Sequence, residues 1–258
     1  MRVATFNANS IRTRLPVVLD WMEKYQPDIL CLQETKVQDD SFPQQPIINA
    51  GYHLIFRGEK AYNGVCVISK AKPKLVGFGL GEGGSPSDES RLIHVKIGQI
   101  HIVNTYVPQG RDIEHVLYQY KLAWYQRLRD YFSSKFTKNS QVIWLGDMNV
   151  ARDEIDIHNA SKQHNHVCFH EDIRKEFEKT IDWGFVDVFR KHKPGPGEYT
   201  YYDYRTANAV KREMGWRIDH IFATQTLADK SKDAFIDLEP RKQSKCSDHT
   251  FLVADFDV

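Results

Sequence analysis

The chain has 258 residues and a net charge of +1, with 35 Lys and Arg against 34 Asp and Glu; 41% of residues are hydrophobic and 27% charged. Such a chain buries a substantial core, and its balanced charge offers no global attraction to a polyanion. No apolar run approaches the ~20 residues of a membrane helix, and a polar cluster that begins at Asn7 leaves no room for a signal or targeting segment before it, so a cytoplasmic protein is expected, nucleoid-associated in a prokaryote.

Short apolar runs bounded by polar turns read as buried strands. The first, at about 2–6, runs from Val3 to Phe6 into Asn7-Ala8-Asn9. A helix follows at 14–25, with Leu15, Val18, Leu19 and Met22 along one face. The strand at 28–33 leads into Gln33-Glu34-Thr35, and another is expected at 64–69. Gly77 to Asp88, with Gly81, Gly83, Gly84, Ser85 and Pro86, reads as an exposed loop. Strands at 91–97 and 100–107 flank Gly98-Gln99 as an antiparallel hairpin. A helix at 115–136 places Leu117, Tyr120, Leu128 and Phe132 approximately on one face. The strand at 142–146 runs into Gly146-Asp147-Met148-Asn149, and a helix fits 171–183. Pro194-Gly-Pro-Gly197 separates this helical region from a tyrosine-rich stretch, Tyr199 to Arg205. A strand at 218–223 carries Asp219, and Ser247-Asp248-His249 precedes the last strand at 251–256.

Strands and helices mix without strict βαβ alternation, which favours sheets packed on each other and covered by helices over a Rossmann fold or a (β/α)8 barrel. Neither a GxGxxG nor a GxxxxGK[ST] motif occurs, so no nucleotide cofactor is expected. The four cysteines, Cys31, Cys66, Cys168 and Cys246, show no CxxC pairing and fit a reducing compartment.

The chemistry sits at strand ends, where open α/β sheets build their sites. Carboxylates, amides and a histidine, without a nucleophilic Ser or Cys, suit a hard cation and an activated water, as in a phosphodiesterase. Glu34 is a candidate magnesium ligand, although a lone Gln-Glu pair is better read as a solvated strand end. Asp147 is placed to accept a proton from a water that Asn149 orients, while Gly-Asp-Met-Asn alone fits an Asx turn as well. Asp219 lies in an apolar strand pattern and needs a partner; His249 is the candidate, as a catalytic pair or a buried structural ion pair. His164, His166, Cys168 and His170 recur at i, i+2, which matches no zinc-ligand spacing and reads as a polar loop. The tyrosine-rich stretch, with Lys211, Arg212 and Arg217 after it, mixes aromatic and basic residues as a nucleic-acid surface does, or forms a hairpin whose aromatics cover the core.

In order, ATFNANSIR, PDILCLQETK, YNGVCVISK, NTYVPQG, WLGDMNVARDEID, YTYYDYR, GWRIDHIFAT and SDHTFLVADF, spanning residues 4–256, resemble the exonuclease III family of apurinic/apyrimidinic (AP) endonucleases, within the endonuclease/exonuclease/phosphatase superfamily. The resemblance implies one catalytic domain over 1–258, folded as a four-layer α/β sandwich with two mixed sheets face to face between helical layers. It implies Mg²⁺, one or two ions, with Mn²⁺ as a substitute. Glu34 stands as the principal ligand, with Asn7 close behind it, and Asn9, Asp248, Asp147 and Asn149 complete the metal positions. Asp147 and Asn149 take the water, His249 and Asp219 the phosphoryl oxygen, and Tyr106 and Gln109 contact phosphate. Arg12, Tyr62 and Arg111 resemble loop residues that grip the duplex. Tyr201, Trp216 and Ile218 stand in the pocket for an extruded abasic sugar, with Arg205 and Arg217 among the DNA contacts. Two positions depart from the pattern: Asn9 stands where some relatives carry Asp, and Tyr201 where relatives usually have Trp or Phe.

The implied activity is Mg²⁺-dependent hydrolysis of double-stranded DNA 5′ to an abasic site, leaving a 3′-OH and a 5′-deoxyribose phosphate, with 3′→5′ exonuclease or 3′-phosphodiesterase activity at the same centre. The partner is duplex DNA with abasic or 3′-blocked sites, and a monomer is expected. The rivals are a superfamily enzyme for RNA tails, inositol phosphates or sphingolipids, and a DNA-binding module without catalysis.

Overall fold

The computed structural model describes residues 1–81 and 87–258; Gly83, Gly84, Ser85 and Pro86 of the expected loop lie outside the described residues. The elements run β1 (Arg2–Asn7), α1 (Ile11–Tyr25), β2 (Ile29–Gln33), α2 (Gln44–Asn49), β3 (His53–Arg57), β4 (Val65–Ser69), β5 (Lys74–Phe78), β6 (Leu92–Ile97) and β7 (Ile100–Tyr106). They continue as α3 (Val116–Lys135), β8 (Val142–Asp147), α4 (Glu171–Ile181), β9 (Phe185–Asp187), α5 (Val188–His192), β10 (Asp219–Thr224), α6 (Gln225–Ala228), β11 (Ser231–Asp237) and β12 (Phe251–Phe256).

The strands form two six-stranded sheets, ordered β11-β12-β1-β2-β4-β3 and β5-β6-β7-β8-β10-β9. Strict alternation along the central strands explains the layering. Ala4, Phe6, Leu30, Leu32, Cys66 and Ile68 of the first sheet pack outward against Val18, Trp21 and Met22 of α1. Their neighbours Val3, Ile29, Cys31, Val65 and Val67 face inward and meet Ile93, Val95, Ile102, Ile143 and Leu145 of the second sheet. The outer face of the second sheet, with Val103, Trp144 and Phe222, is covered by α3 and α4. The chain is thus the expected four-layer sandwich, with one hydrophobic core between each pair of layers.

Several expectations are corrected. Strands β3, β5, β9 and β11 lie outside the predicted set; β5 and β11 carry exposed residues and a register shift each, and β9 has three residues, so their apolar alternation is weak. Gly77 and Phe78, assigned to the loop, end β5. On α3 the buried face is Tyr118, Lys121, Trp124, Tyr125, Leu128, Tyr131 and Phe132, while Leu117 and Tyr120 are half-buried. The tyrosine-rich stretch is an irregular segment in which Tyr201 makes isolated bridges to Trp216 and His249. None of the helices among the described residues is long and apolar enough to cross a membrane.

Two features, one between the sheets and one within the second sheet, fix the edge on which the site is built. Gln33 Nε2 donates to Asn104 Oδ1 at 2.7 Å, and Asn104 Nδ2 donates to the carbonyls of Leu32 and Cys66 at 3.0 Å. This fully buried amide pair satisfies its own polar atoms and pins one sheet's register to the other. Gly146, at φ +133, lies where a Cβ would come 2.0 Å from Thr105 O, so the close β7–β8 approach before Asp147 requires glycine.

Candidate active site

Register places the polar residues together. Asp147, the last residue of β8, is opposite Tyr106 on parallel β7 and opposite Asp219 on antiparallel β10. Across the sandwich, Asn7 ends β1, Glu34 follows β2, and His249 lies two residues before β12. Glu34 and Asn149 both hold left-handed backbones, at φ 48 and 50. Non-glycine residues adopt this region rarely, and such strain concentrates at functional sites.

Asn7 Nδ2 donates to both Glu34 Oε1 and Asp147 Oδ2, at 2.8 Å each. Asp147 Oδ1 accepts from the backbone N–H of Asn149 at 2.9 Å. Asn149 Nδ2 donates to Val107 O at 2.9 Å, and its side-chain oxygen accepts only a long 3.9 Å contact from the Cys168 thiol, so a lone pair remains for the cavity that Asn149 lines. His249 Nδ1 lies 2.8 Å from Asp219 Oδ2. A carboxylate only accepts, so Nδ1–H is the donor and Nε2 faces the site, 3.9 Å from Asp147 Oδ2.

Burial raises the Asp147 carboxyl above its usual range, Asp219 and Glu34 add to the rise, and His249 and Asn7 oppose it. Burial works against a charged His249 ring, yet the adjoining Asp219, followed by Asp147 and Asp248, raises it above the ordinary value. The Tyr106 phenol is pushed up by burial and by Glu34 and Asp147, so it is a neutral donor. Because His249 binds its proton more tightly when folded, its stabilisation is complete below pH ~6.5 and is lost as the pH rises through the raised folded value. Asp219→Asn is therefore expected to lower the His249 pKa, read by NMR titration of the ring nitrogens. It is also expected to cost about 1.5–3 kcal/mol at pH 6, a difference that shrinks as pH rises; a stability loss independent of pH would contradict this coupling.

Glu34, Asp147 and His249 each offer an atom within 4.8 Å of the others, the group among the described residues with metal-binding spacing. Asp219 Oδ1 is buried without a hydrogen-bond partner. Clustered carboxylate oxygens, destabilised by one another, suit a hard divalent cation.

A cavity of ≈ 530 Å³ opens over these residues, lined by Glu34, Tyr106, Gln109, Asp147, Asn149, Asp248 and His249 and also by Tyr201, Trp216, Ile218 and Arg205. A larger groove of ≈ 810 Å³ runs along α4, away from this cluster, and is lined by ion-paired side chains such as Arg152 and Glu178. Trp216 and Ile218 are buried, and the Tyr201 ring lies 4.9 Å from that of His249. Gln109 accepts the backbone N–H of Arg111 at 2.7 Å. Arg12 and Arg111 are exposed, as is Tyr62 at 68%. Exposed Arg205 pairs with Asp203 at 2.8 Å.

Two expected roles change. Arg217 is 0% exposed and is clasped by Asp156 at 2.7 and 2.9 Å and by Asp187 at 2.8 Å, so it has no surface to present to DNA. Asn9, expected as a metal ligand, has both polar atoms engaged: Lys36 Nζ donates to its oxygen at 2.6 Å and its nitrogen donates to Asp248 Oδ1 at 3.0 Å. Lys36, which also pairs with Glu34 at 2.8 Å, was not anticipated, though its place in Gln-Glu-Thr-Lys was a visible signal. Arg91, over the Tyr106 ring at 4.9 Å, likewise joins the site without a motif to mark it. His166 Nδ1 accepts from the Cys168 N–H and its ring lies 4.4 Å from Trp216, while His170 caps α4.

Residues 4–249 match the model of the Endonuclease/Exonuclease/phosphatase family. The chain is 31% identical to exodeoxyribonuclease III of Haemophilus influenzae, over 99% of its own length and all of the relative's. An AP endonuclease from Archaeoglobus fulgidus superposes with a TM-score of 0.97 at 49% identity, covering 100% of both chains. A 3′ phosphatase from Neisseria, solved bound to a product DNA hairpin, superposes with a TM-score of 0.95 at 32% identity, again over both full chains.

Proposed function

This chain belongs to the exonuclease III branch of the endonuclease/exonuclease/phosphatase family, a family of hydrolytic nucleases, and we propose that it hydrolyses double-stranded DNA on the 5′ side of abasic sites. The products are a 3′-OH and a 5′-deoxyribose phosphate, and the same centre trims 3′-blocked ends. The whole chain acts as one catalytic domain, as a cytoplasmic monomer. The observation that carries this reading is that one cavity is lined both by Glu34, Asp147 and His249 and by the apolar Tyr201–Trp216–Ile218 wall.

Mg²⁺, or Mn²⁺ in its place, would be held by Glu34 and its carboxylate neighbours, and when bound supplies positive charge to the scissile phosphate. The chain's own residues do the rest. Asp147 removes a proton from the attacking water, for which a carboxyl raised by burial is better matched than an ordinary one. The Asn149 side-chain oxygen accepts the water's other hydrogen and fixes its direction of attack. Asn7 bridges Glu34 and Asp147 and keeps the two carboxylates at a fixed separation. Protonated His249, oriented by Asp219, donates through Nε2 to a phosphoryl oxygen as negative charge grows on it. Tyr106 donates its phenolic hydrogen to the phosphate. The apolar wall receives the extruded sugar, with the Tyr201 hydroxyl at hand as a hydrogen-bonding group, while Arg12, Tyr62, Arg111, Gln109 and Arg205 contact the flanking strands.

Competition among substrates tests the assignment. In Mg²⁺, the chain is expected to cleave an end-labelled duplex with one tetrahydrofuran abasic analogue at least about a hundredfold faster than an RNA tail, an inositol polyphosphate or sphingomyelin. Preference for any of the last three would replace the DNA reading with another phosphoester.

A further inference from the structure

Lys121 lies on α3 with its side chain facing the core and 0% exposed. Its ammonium donates to three backbone carbonyls, Asn149 O at 2.7 Å, Val167 O at 2.9 Å and Gln109 O at 3.2 Å. Those carbonyls belong to three separate segments, each with a residue on the cavity: Gln109 after β7, Asn149 after β8, and Cys168 before α4. Burying a cation is costly, and this one is neutralised by carbonyl dipoles instead of a paired carboxylate. Gly110, at φ +95, completes the arrangement, since a Cβ there would meet Val167 Cγ2 at 2.9 Å and Lys121 Cδ at 3.3 Å.

We propose that Lys121 is a positioning residue for Asn149, locking the left-handed backbone that aims the Asn149 side-chain oxygen into the cavity. Besides a long contact from the Cys168 thiol to its side-chain oxygen, Asn149 is held at three points: its N–H by Asp147 Oδ1, its side-chain N–H by Val107 O, and its carbonyl by the Lys121 ammonium. The first two fix the amide end and the side chain; the third stops the peptide that follows Asn149 from turning about its Cα–C bond, and together they hold the residue at φ 50. This inference rests on the assignment of Asn149 to the attacking water.

A double-mutant cycle separates positioning from general support of the core. Lys121→Met keeps the stem and removes the donors. It is expected to lower kcat on the abasic duplex by about 10- to 100-fold, as a small misplacement of a water-orienting group does, with KM within about threefold. Asn149→Ala alone is expected to lower kcat, and adding Lys121→Met to it to lower kcat no further. Lys121→Gln, which keeps two N–H donors, is expected to recover part of the loss and serves for the same cycle if Lys121→Met does not fold. Leu128→Ala, a core truncation on the same helix, is the control: it lowers Tm but leaves kcat intact and couples to nothing. If Lys121→Met leaves kcat within twofold, or its loss multiplies with that of Asn149→Ala, the positioning role is overturned while the Asn149 assignment stands. If Asn149→Ala leaves kcat unchanged, the water-orienting assignment falls and the proposal with it.

Discussion

Asp147→Ala is expected to lower turnover of abasic duplex by roughly 10²–10⁴-fold, the scale of losing a positioned general base. The loss belongs in kcat. Asp147 lines the cavity with only 1% of its surface exposed, and Asp219 and Glu34 already destabilise its charged form. Removing one negative charge from this cluster also lessens repulsion of the DNA phosphates, so affinity for the abasic duplex should hold or tighten. Single-turnover kinetics with a separate binding titration resolve the two quantities. Turnover within tenfold of the parent would take Asp147 out of water activation, and parallel loss of binding would make it a contact to DNA instead.

The second large effect is on stability. Arg217→Ala leaves buried Asp187 without its guanidinium and Asp156 with Arg190 alone, and breaking a buried pair this way costs about 3–5 kcal/mol. At about 2–4 °C per kcal/mol for a chain of this size, Tm should fall by roughly 6–20 °C. Burial favours a protonated Asp156, but the guanidinia of Arg217 and Arg190 outweigh it and hold the carboxyl below its ordinary value. Its stabilisation is therefore present above pH ~3.9 and lost as pH falls through the lower folded value. The variant weakens this effect for Asp156, which keeps Arg190, and leaves burial to raise Asp187, so the stability gap should widen as the pH rises from about 3 to 6. Well below its Tm the variant should keep the parent's salt dependence of DNA binding. A salt slope reduced by about one unit with an unchanged Tm would restore Arg217 to the DNA interface.

Arg217 also shows where the sequence misleads. In Gly-Trp-Arg-Ile-Asp-His it neighbours real site residues, and a cation beside a nucleic-acid surface reads as a phosphate contact. Its partners are 61 and 30 residues away, at Asp156 and Asp187, and only the packed structure brings them to it. Lys121 was missed for a related reason: a lysine in an amphipathic helix reads as solvated, and three backbone carbonyls leave no trace in side-chain identities. Gln33 and Asn104 look like defects in apolar strands until their mutual hydrogen bond is seen. By contrast, Glu34, Asp147 and His249 were legible because each follows or precedes a strongly apolar central strand, and register then carries them to one edge. The four-layer arrangement was legible for the same reason in the central strands, and less so in β3, β5 and β11, whose exposed residues dilute the alternation, and in β9, which has three residues.

The most direct test of the central claim is incision of a duplex carrying a single tetrahydrofuran site, with both strands end-labelled, in Mg²⁺ and in EDTA. The account predicts one cut immediately 5′ to the site, a 3′ end that a polymerase extends without prior trimming, loss of cutting in EDTA and its return when Mg²⁺ is added back. No incision in Mg²⁺, or equal incision in EDTA, would contradict it.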